Sequence, residues 1–167
     1  MKTGTTRLCV SIGAAFTMAM LPGCSQGSTS PNPVNTAAVA RHPISELEVV
    51  PLTVTSGTKS HAFQVEIART GEQQSRGLMF REQLGPNEGM IFPYNPPRNA
   101  GFWMKNVPIP LDIIFIGPDG RIMNIAANTQ PQSTDTVYSD GPASLILEIP
   151  GGRAAELGIG PGDRVER

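Results

Sequence analysis

The sequence predicts a mainly β (α+β) domain: a compact antiparallel β-sandwich or barrel carrying one or two short helices. Three observations predict it. Apolar residues fall in short segments, several alternating with period two, which is the pattern of strands with one buried face. Turn residues are frequent, with Gly 18 and Pro 16 in the chain, so long helices are disfavoured. Only two segments carry helix start and stop signals, and neither is long enough to cover a sheet alone.

Taken in order, Leu52 and Val54 alternate with polar neighbours, and Phe63, Val65 and Ile67 alternate with Gln64 and Glu66. Both segments read as half-buried strands. Thr70 is placed to cap a short helix through Gln73 and Gln74 to about Met79. Gly89-Met90-Ile91-Phe92 is a short apolar run, and Gly101 to Val107 reads as a strand with aromatics. On such a strand Trp103, Lys105 and Val107 share one face, and Phe102, Met104 and Asn106 the other. Leu111 to Ile116 is apolar on both faces except at Asp112. Gly117-Pro118-Asp119-Gly120 is a turn, from which Arg121 to Ala127 returns as a hairpin partner. Ser144 to Ile149 is a further apolar strand, with Glu148 inside it. Gly152 to Leu157 forms a second helix ended by Gly158, and Gly160-Pro161-Gly162-Asp163 turns into a last strand.

The chain ahead of this domain has a different character. Lys2 and Arg7 precede an apolar run from Leu8 to Leu21. The run is short for a bilayer span and suits the core of a signal peptide. It ends in Leu21-Pro22-Gly23-Cys24, which resembles the lipobox of bacterial lipoproteins, with Pro22 a less common choice at its position. The resemblance implies a diacylglyceryl group on the Cys24 sulfur and cleavage just before it. Each buried CH₂ contributes about 0.8 kcal/mol, so two or three chains anchor stably. Residues 25–43 are polar and Pro-containing, too poor in apolar groups to offset their ordering entropy. The expected organisation is a signal peptide over 1–23, a lipid-anchored stalk over 24–46 and one domain over 47–167. The expected address is the periplasmic side of the cell envelope. Ser25 after the Cys favours the outer membrane, by analogy with lipoprotein sorting.

Composition narrows the function classes. The formal charge is −1, and loss of Lys2 and Arg7 with the leader, which has no acid, takes it to −3. Nucleic-acid binding needs a concentrated basic surface, which this composition does not offer. Cys9 lies in the leader, so Cys24 is the only mature thiol and neither an internal disulfide nor a Cys-rich metal site is available. No His-x-x-x-His pair, Gly-x-Ser-x-Gly elbow or phosphate loop is present, and no cofactor is implied.

Three stretches together carry a family resemblance: Arg76-Gly77-Leu78-Met79-Phe80-Arg81; Gly89-Met90-Ile91-Phe92; and Phe102-Trp103-Met104-Lys105-Asn106 leading to Ile109-Pro110-Leu111-Asp112-Ile113-Ile114-Phe115. Pro142-Ala143 before Leu147-Glu148, and Gly158-Ile159-Gly160-Pro161-Gly162-Asp163, complete it. Over about residues 50–166 the chain resembles the bacterial and archaeal domain-of-unknown-function family 192. Leu145-Ile146 stands where relatives often carry an aromatic. The resemblance implies a compact, mostly β fold and no particular activity.

The residues themselves offer three chemistries. Trp103 is the only tryptophan, and Lys105 is one of two lysines outside the leader. An ammonium beside an indole and near a carboxylate can recognise an anionic or sugar ligand. This makes Arg76, Trp103, Lys105 and Asp112 candidate ligand-binding residues in a non-catalytic envelope module with an unknown envelope ligand or protein partner. The plainer alternative packs Trp103 in the core and pairs Lys105 with Asp112. Asp112 and Glu148 both lie in apolar strands, where a carboxylate must be paired, hydrogen-bonded or protonated. Facing each other, they would make an acid–base pair for a hydrolase acting on envelope glycans; otherwise Arg76, Arg81 or Lys105 neutralises them. Met79, Met90, Met104 and Met123 offer thioethers to Cu(I), or fill gaps in the core.

Overall fold

The computed structural model describes residues 39–167. The leader, Cys24 and the stalk as far as residue 38 lie outside the described residues. Seven strands form one sheet: β1 (Val49–Ser56), β2 (Lys59–Ile67), β3 (Glu88–Phe102), β4 (Leu111–Ile116), β5 (Ile122–Ala126), β6 (Val137–Pro150) and β7 (Arg164–Glu166). Helix α1 (Gly71–Arg76) follows β2 and α2 (Arg153–Leu157) follows β6. The strand order is β5-β4-β6-β3-β2-β1-β7. Every neighbouring pair is antiparallel except β2–β3, which is parallel and joined through α1. The mainly β fold with two short helices is therefore as expected from sequence, realised as a curled half-barrel.

The curl brings the two edges of the sheet together at one end. Arg121, just before β5, bridges Arg164 of β7. The Ile122 amide donates to the Asp163 carbonyl at 2.9 Å, and the Val165 amide to the Gly120 carbonyl at 2.8 Å. At this end the two edge strands meet, joined by one bridge and these backbone hydrogen bonds. The Gly117–Gly120 turn makes this possible: Gly120 adopts φ +76°, a left-handed conformation that glycine accepts without strain.

Two apolar clusters lie on opposite faces of the sheet. The first includes Val54, Phe63, Ile114 and Leu147 together with Ile122 and Val165 near the two meeting edges, which places it on the inside of the curl. The second includes Leu78, Met90, Phe92, Met104, Val107, Ile113, Phe115 and Ile146, and covers the outer face. Strand β4 contributes to both, which is why it reads as apolar on both faces. The β3–β6 contact is close: a Cβ on Gly89 would lie 2.4 Å from the Glu148 carbonyl oxygen.

The caps follow the sequence signals. Thr70 Oγ1 accepts from the Gln73 amide, and Gln73 Oε1 accepts from the Thr70 amide at 3.0 Å, a reciprocal capping box. The helix stops at Arg76 rather than Met79, because Gly77 leaves helical geometry with φ +48°. Gly158 ends α2 in the left-handed conformation.

Two expectations about strands need correction. The runs at Gly89–Phe92 and from Gly101 are one continuous strand, β3, with register shifts between Pro93 and Arg98 and between Asn99 and Gly101 that accommodate the intervening prolines. That strand stops at Phe102, so residues 103–107 are a turn and not a strand. Ahead of β1, Arg41 bridges Glu48, and the Val49 amide donates to the Ala40 carbonyl.

Candidate functional site

The outer face carries one cross-strand row that runs through the site. Glu66 on β2 pairs with Met90 on β3, Met90 with Glu148 on β6, and Glu148 with Ile113 on β4. Two buried glutamates thus stand in one row with a methionine between them. Their environments differ. Glu66 takes a bidentate contact from Arg81, Nη1 to Oε1 at 2.8 Å and Nη2 to Oε2 at 3.1 Å, and also accepts from the Ser45 hydroxyl. The Glu148 side chain has no hydrogen-bond or ion-pair partner among the described residues. Burial pushes its carboxyl up to about 8, because the charged form loses its hydration with nothing in return. In its protonated form the carboxyl can both donate and accept a hydrogen bond.

Glu148 lines a cavity of about 290 Å³ on this face. One wall comes from the end of α1 and the turn after it, with Gln74, Arg76, Leu78 and Met79. Strand β3 supplies Phe92, Tyr94, Arg98 and Phe102, and the turn after β3 supplies Trp103, Lys105 and Val107. The turn explains the presence of Trp103 and Lys105 together. Met104 and Val107 are both buried in the outer cluster. The Met104 amide donates to Ser133, the Val107 amide to Met104, and the Phe80 amide to Asn106. With Met104 and Val107 held inward, Trp103 and Lys105 stand outward, Trp103 remaining 47% exposed. Asn106 carries the reversal at φ +62°.

Two cation–aromatic pairs result. Lys105 Nζ lies 5.3 Å from the centroid of the Trp103 ring, and the Arg98 guanidinium 4.0 Å from that of Tyr94. Such contacts hold a cation near a flat apolar surface without neutralising it. The cavity therefore has three cationic side chains, Arg76, Arg98 and Lys105, and one acid, Glu148.

Of the residues singled out in the sequence, Arg76, Trp103, Lys105 and Glu148 are brought together here. Asp112 is not among them. It pairs with Ile149, one position along from Glu148, so the two carboxylates project from opposite faces of the sheet. The facing acid–base pair for glycan hydrolysis is not formed. Asp112 is fully buried, and its partners are backbone groups instead of Lys105. Its Oδ1 accepts from the amides of Asn128 at 2.7 Å and Gly152 at 2.9 Å, and its Oδ2 from Ala154 at 2.7 Å. Asp112 thus fixes the start of α2 across the barrel end. Arg81 neutralises Glu66, not Asp112 or Glu148. The four methionines all belong to the outer cluster: Met90 and Met104 are fully buried, with Met79 and Met123 packed at its border.

Sequence reasoning missed Tyr94 and Arg98. The stretch Tyr94-Asn95-Pro96-Pro97-Arg98 has the composition of a loop. The spacing of an aromatic and an arginine around it was the only available signal.

Residues 52–167 match the model of the family described as DUF192, "Uncharacterized ACR". A crystal structure of a protein of unknown function from Novosphingobium aromaticivorans DSM 12444 is similar, with 53% identity and a TM-score of 0.76 over 83% of this chain and 99% of that one. A second similar structure, from Sinorhizobium meliloti 1021, is of a protein described as a candidate transcription regulator, with 36% identity and a TM-score of 0.70 over 72% of this chain and 94% of that one. No curated protein matches this chain.

Proposed function

From the premise that this chain belongs to the DUF192 family of uncharacterised proteins, we propose that it is an envelope lipoprotein whose β domain is a non-catalytic binding module for a small acidic ligand with a ring. One observation carries the binding reading: three cations and two cation-bearing aromatic rings line one cavity whose only acid, Glu148, is buried, with its carboxyl pushed up to about 8. A carboxylate or phosphate entering it meets positive charge without a fixed counter-anion. The indole and phenol faces suit the apolar side of a sugar ring or another flat group. Cations that are already paired cannot serve this way, and Arg81 shows the contrast, being committed to Glu66. The transcription role in the name of the S. meliloti protein has no counterpart in this composition, where Lys and Arg total 13 against 14 acids.

Isothermal titration of the detergent-solubilised full chain tests the reading with two probe pairs, glucuronate against glucose and galacturonate against galactose. The acids are expected to bind at least tenfold tighter than their neutral counterparts. Trp103→Ala is expected to weaken the acids by about tenfold, the scale of one desolvated cation–π and stacking contact. Equal binding of acid and neutral sugar, or an unaffected Trp103→Ala, overturns the proposal.

The anchor rests on the leader. A lipidated Cys24 predicts that the mature chain partitions into detergent on phase separation and that Cys24→Ser moves it to the aqueous phase. A Cys24→Ser chain that keeps its membrane fraction removes the anchor from the proposal.

A further inference from the structure

The cations of the cavity explain why an acid is admitted, but not why a glutamate sits in it without a partner. A buried carboxyl in an apolar strand has a cost, and at the neighbouring glutamate of the same row that cost is met by Arg81. Among the described residues no such partner is supplied at Glu148, although Arg76, Arg98 and Lys105 all line the same cavity. An ionised Glu148 would repel an anionic ligand; a neutral one can donate to it. We propose that Glu148 is the specificity-determining residue of the cavity: as a neutral carboxylic acid it donates a hydrogen bond to an anionic oxygen of the ligand, and loss of that proton closes the cavity to acids.

The surroundings support a single-proton gate. From α1 the cavity receives Arg76; from β3, Tyr94 and Arg98; from the turn after β3, Lys105. On β4 the residue beside Glu148 is Ile113, with no titratable group, and Asp112 faces the opposite way. On β2 the nearest acid in the row, Glu66, lies beyond Met90 and is paired. Burial raises the Glu148 carboxyl to about 8.

This inference rests on the binding reading above, and glucuronate titrations of the full chain at several pH values separate the two. In the wild type, affinity is expected to hold from pH 6.5 to 7.5 and to fall on the order of tenfold or more by pH 9.5. Binding near pH 8 should take up protons, seen as a dependence of the apparent enthalpy on the buffer's ionisation enthalpy. Glu148→Gln keeps a donor that cannot ionise, so its affinity should stay flat across the range. Glu148→Met keeps the bulk and removes the donor, so it should bind weakly at every pH, with circular dichroism reporting whether each variant is folded. A flat wild-type profile with glucuronate still preferred over glucose overturns the gate and leaves the binding reading intact. A fall that persists in Glu148→Gln assigns the titration to Lys105 or Tyr94 and also overturns it. Glucuronate no tighter than glucose at pH 6.5 removes both.

Discussion

Asp112→Ala is expected to destabilise the domain by about 4 kcal/mol, because it leaves three backbone amides without an acceptor at a cost of roughly 1–3 kcal/mol each. The three donors belong to two segments. Asn128 follows β5, Gly152 precedes α2, and Ala154 lies in its first turn. One carboxylate therefore ties the chain after β5 and the start of α2 to the first turn of β4, and α2 in turn carries Ala154 and Leu157 to the inner cluster. Asp112→Asn should recover only part of the loss, since its oxygen can keep the Asn128 and Gly152 amides while its amide nitrogen faces the Ala154 donor. Urea unfolding gives the magnitude, and amide exchange over residues 152–158 should quicken first. A loss below about 1 kcal/mol would mean that water replaces the carboxylate freely. Because Asp112 projects from the face opposite the cavity, the folded fraction of the variant should bind glucuronate as the wild type does. A selective loss of binding would return Asp112 to the site.

The strands whose burial is decided within a few residues were legible in the sequence. Phe63, Val65 and Ile67 alternate because one face of β2 meets the inner cluster, and Leu111 to Ile116 is unbroken because β4 is covered on both sides. Thr70 with Gln73, and Gly158, mark helix ends through contacts spanning no more than four residues. What was not legible depends on pairing between distant segments. Whether Asp112 and Glu148 share a face is a matter of register parity. Asp112 opposes Ile149 and not Glu148, and a shift of one residue would have reversed the answer. The continuity of β3 through Pro93, Pro96 and Pro97 was hidden for a related reason. Proline removes a ladder donor, and only the register shifts opposite β6 show how the sheet accommodates it. The candidate site was legible as residue types, Arg76, Trp103, Lys105 and Glu148, but not as a place. The turn that swings Trp103 and Lys105 outward depends on Met104 and Val107 finding room in the outer cluster and on a carbonyl at Ser133.

The row Glu66–Met90–Glu148–Ile113 also separates support from function, and Arg81 is where that separation can be tested. Arg81→Met is expected to cost about 3–5 kcal/mol, the penalty for leaving one member of a buried ion pair alone. Glu66 is 3% exposed and Arg81 7%, so water reaches neither readily. Of the remaining partners of Glu66, the Ser45 hydroxyl cannot balance a full charge, and His42, whose Nε2 lies 3.7 Å from Oε1, does so only when protonated. Replacing both partners, Glu66→Leu with Arg81→Met, should recover most of the loss, because an apolar pair of similar bulk escapes the desolvation cost altogether. The double-mutant cycle measured by urea unfolding should therefore show strong coupling; additive losses would mean the two side chains are not paired in solution. The pair has a second consequence. Arg81 closes the segment that starts at α1 and includes Leu78, whose side chain is buried under the cavity wall, and Arg76 and Met79, which line it. Loosening that segment should lower glucuronate affinity in the single variant even under conditions where it remains folded, and the double variant should regain affinity along with stability. A single variant that is destabilised yet binds at full strength would show that the α1 wall holds its place without the pair.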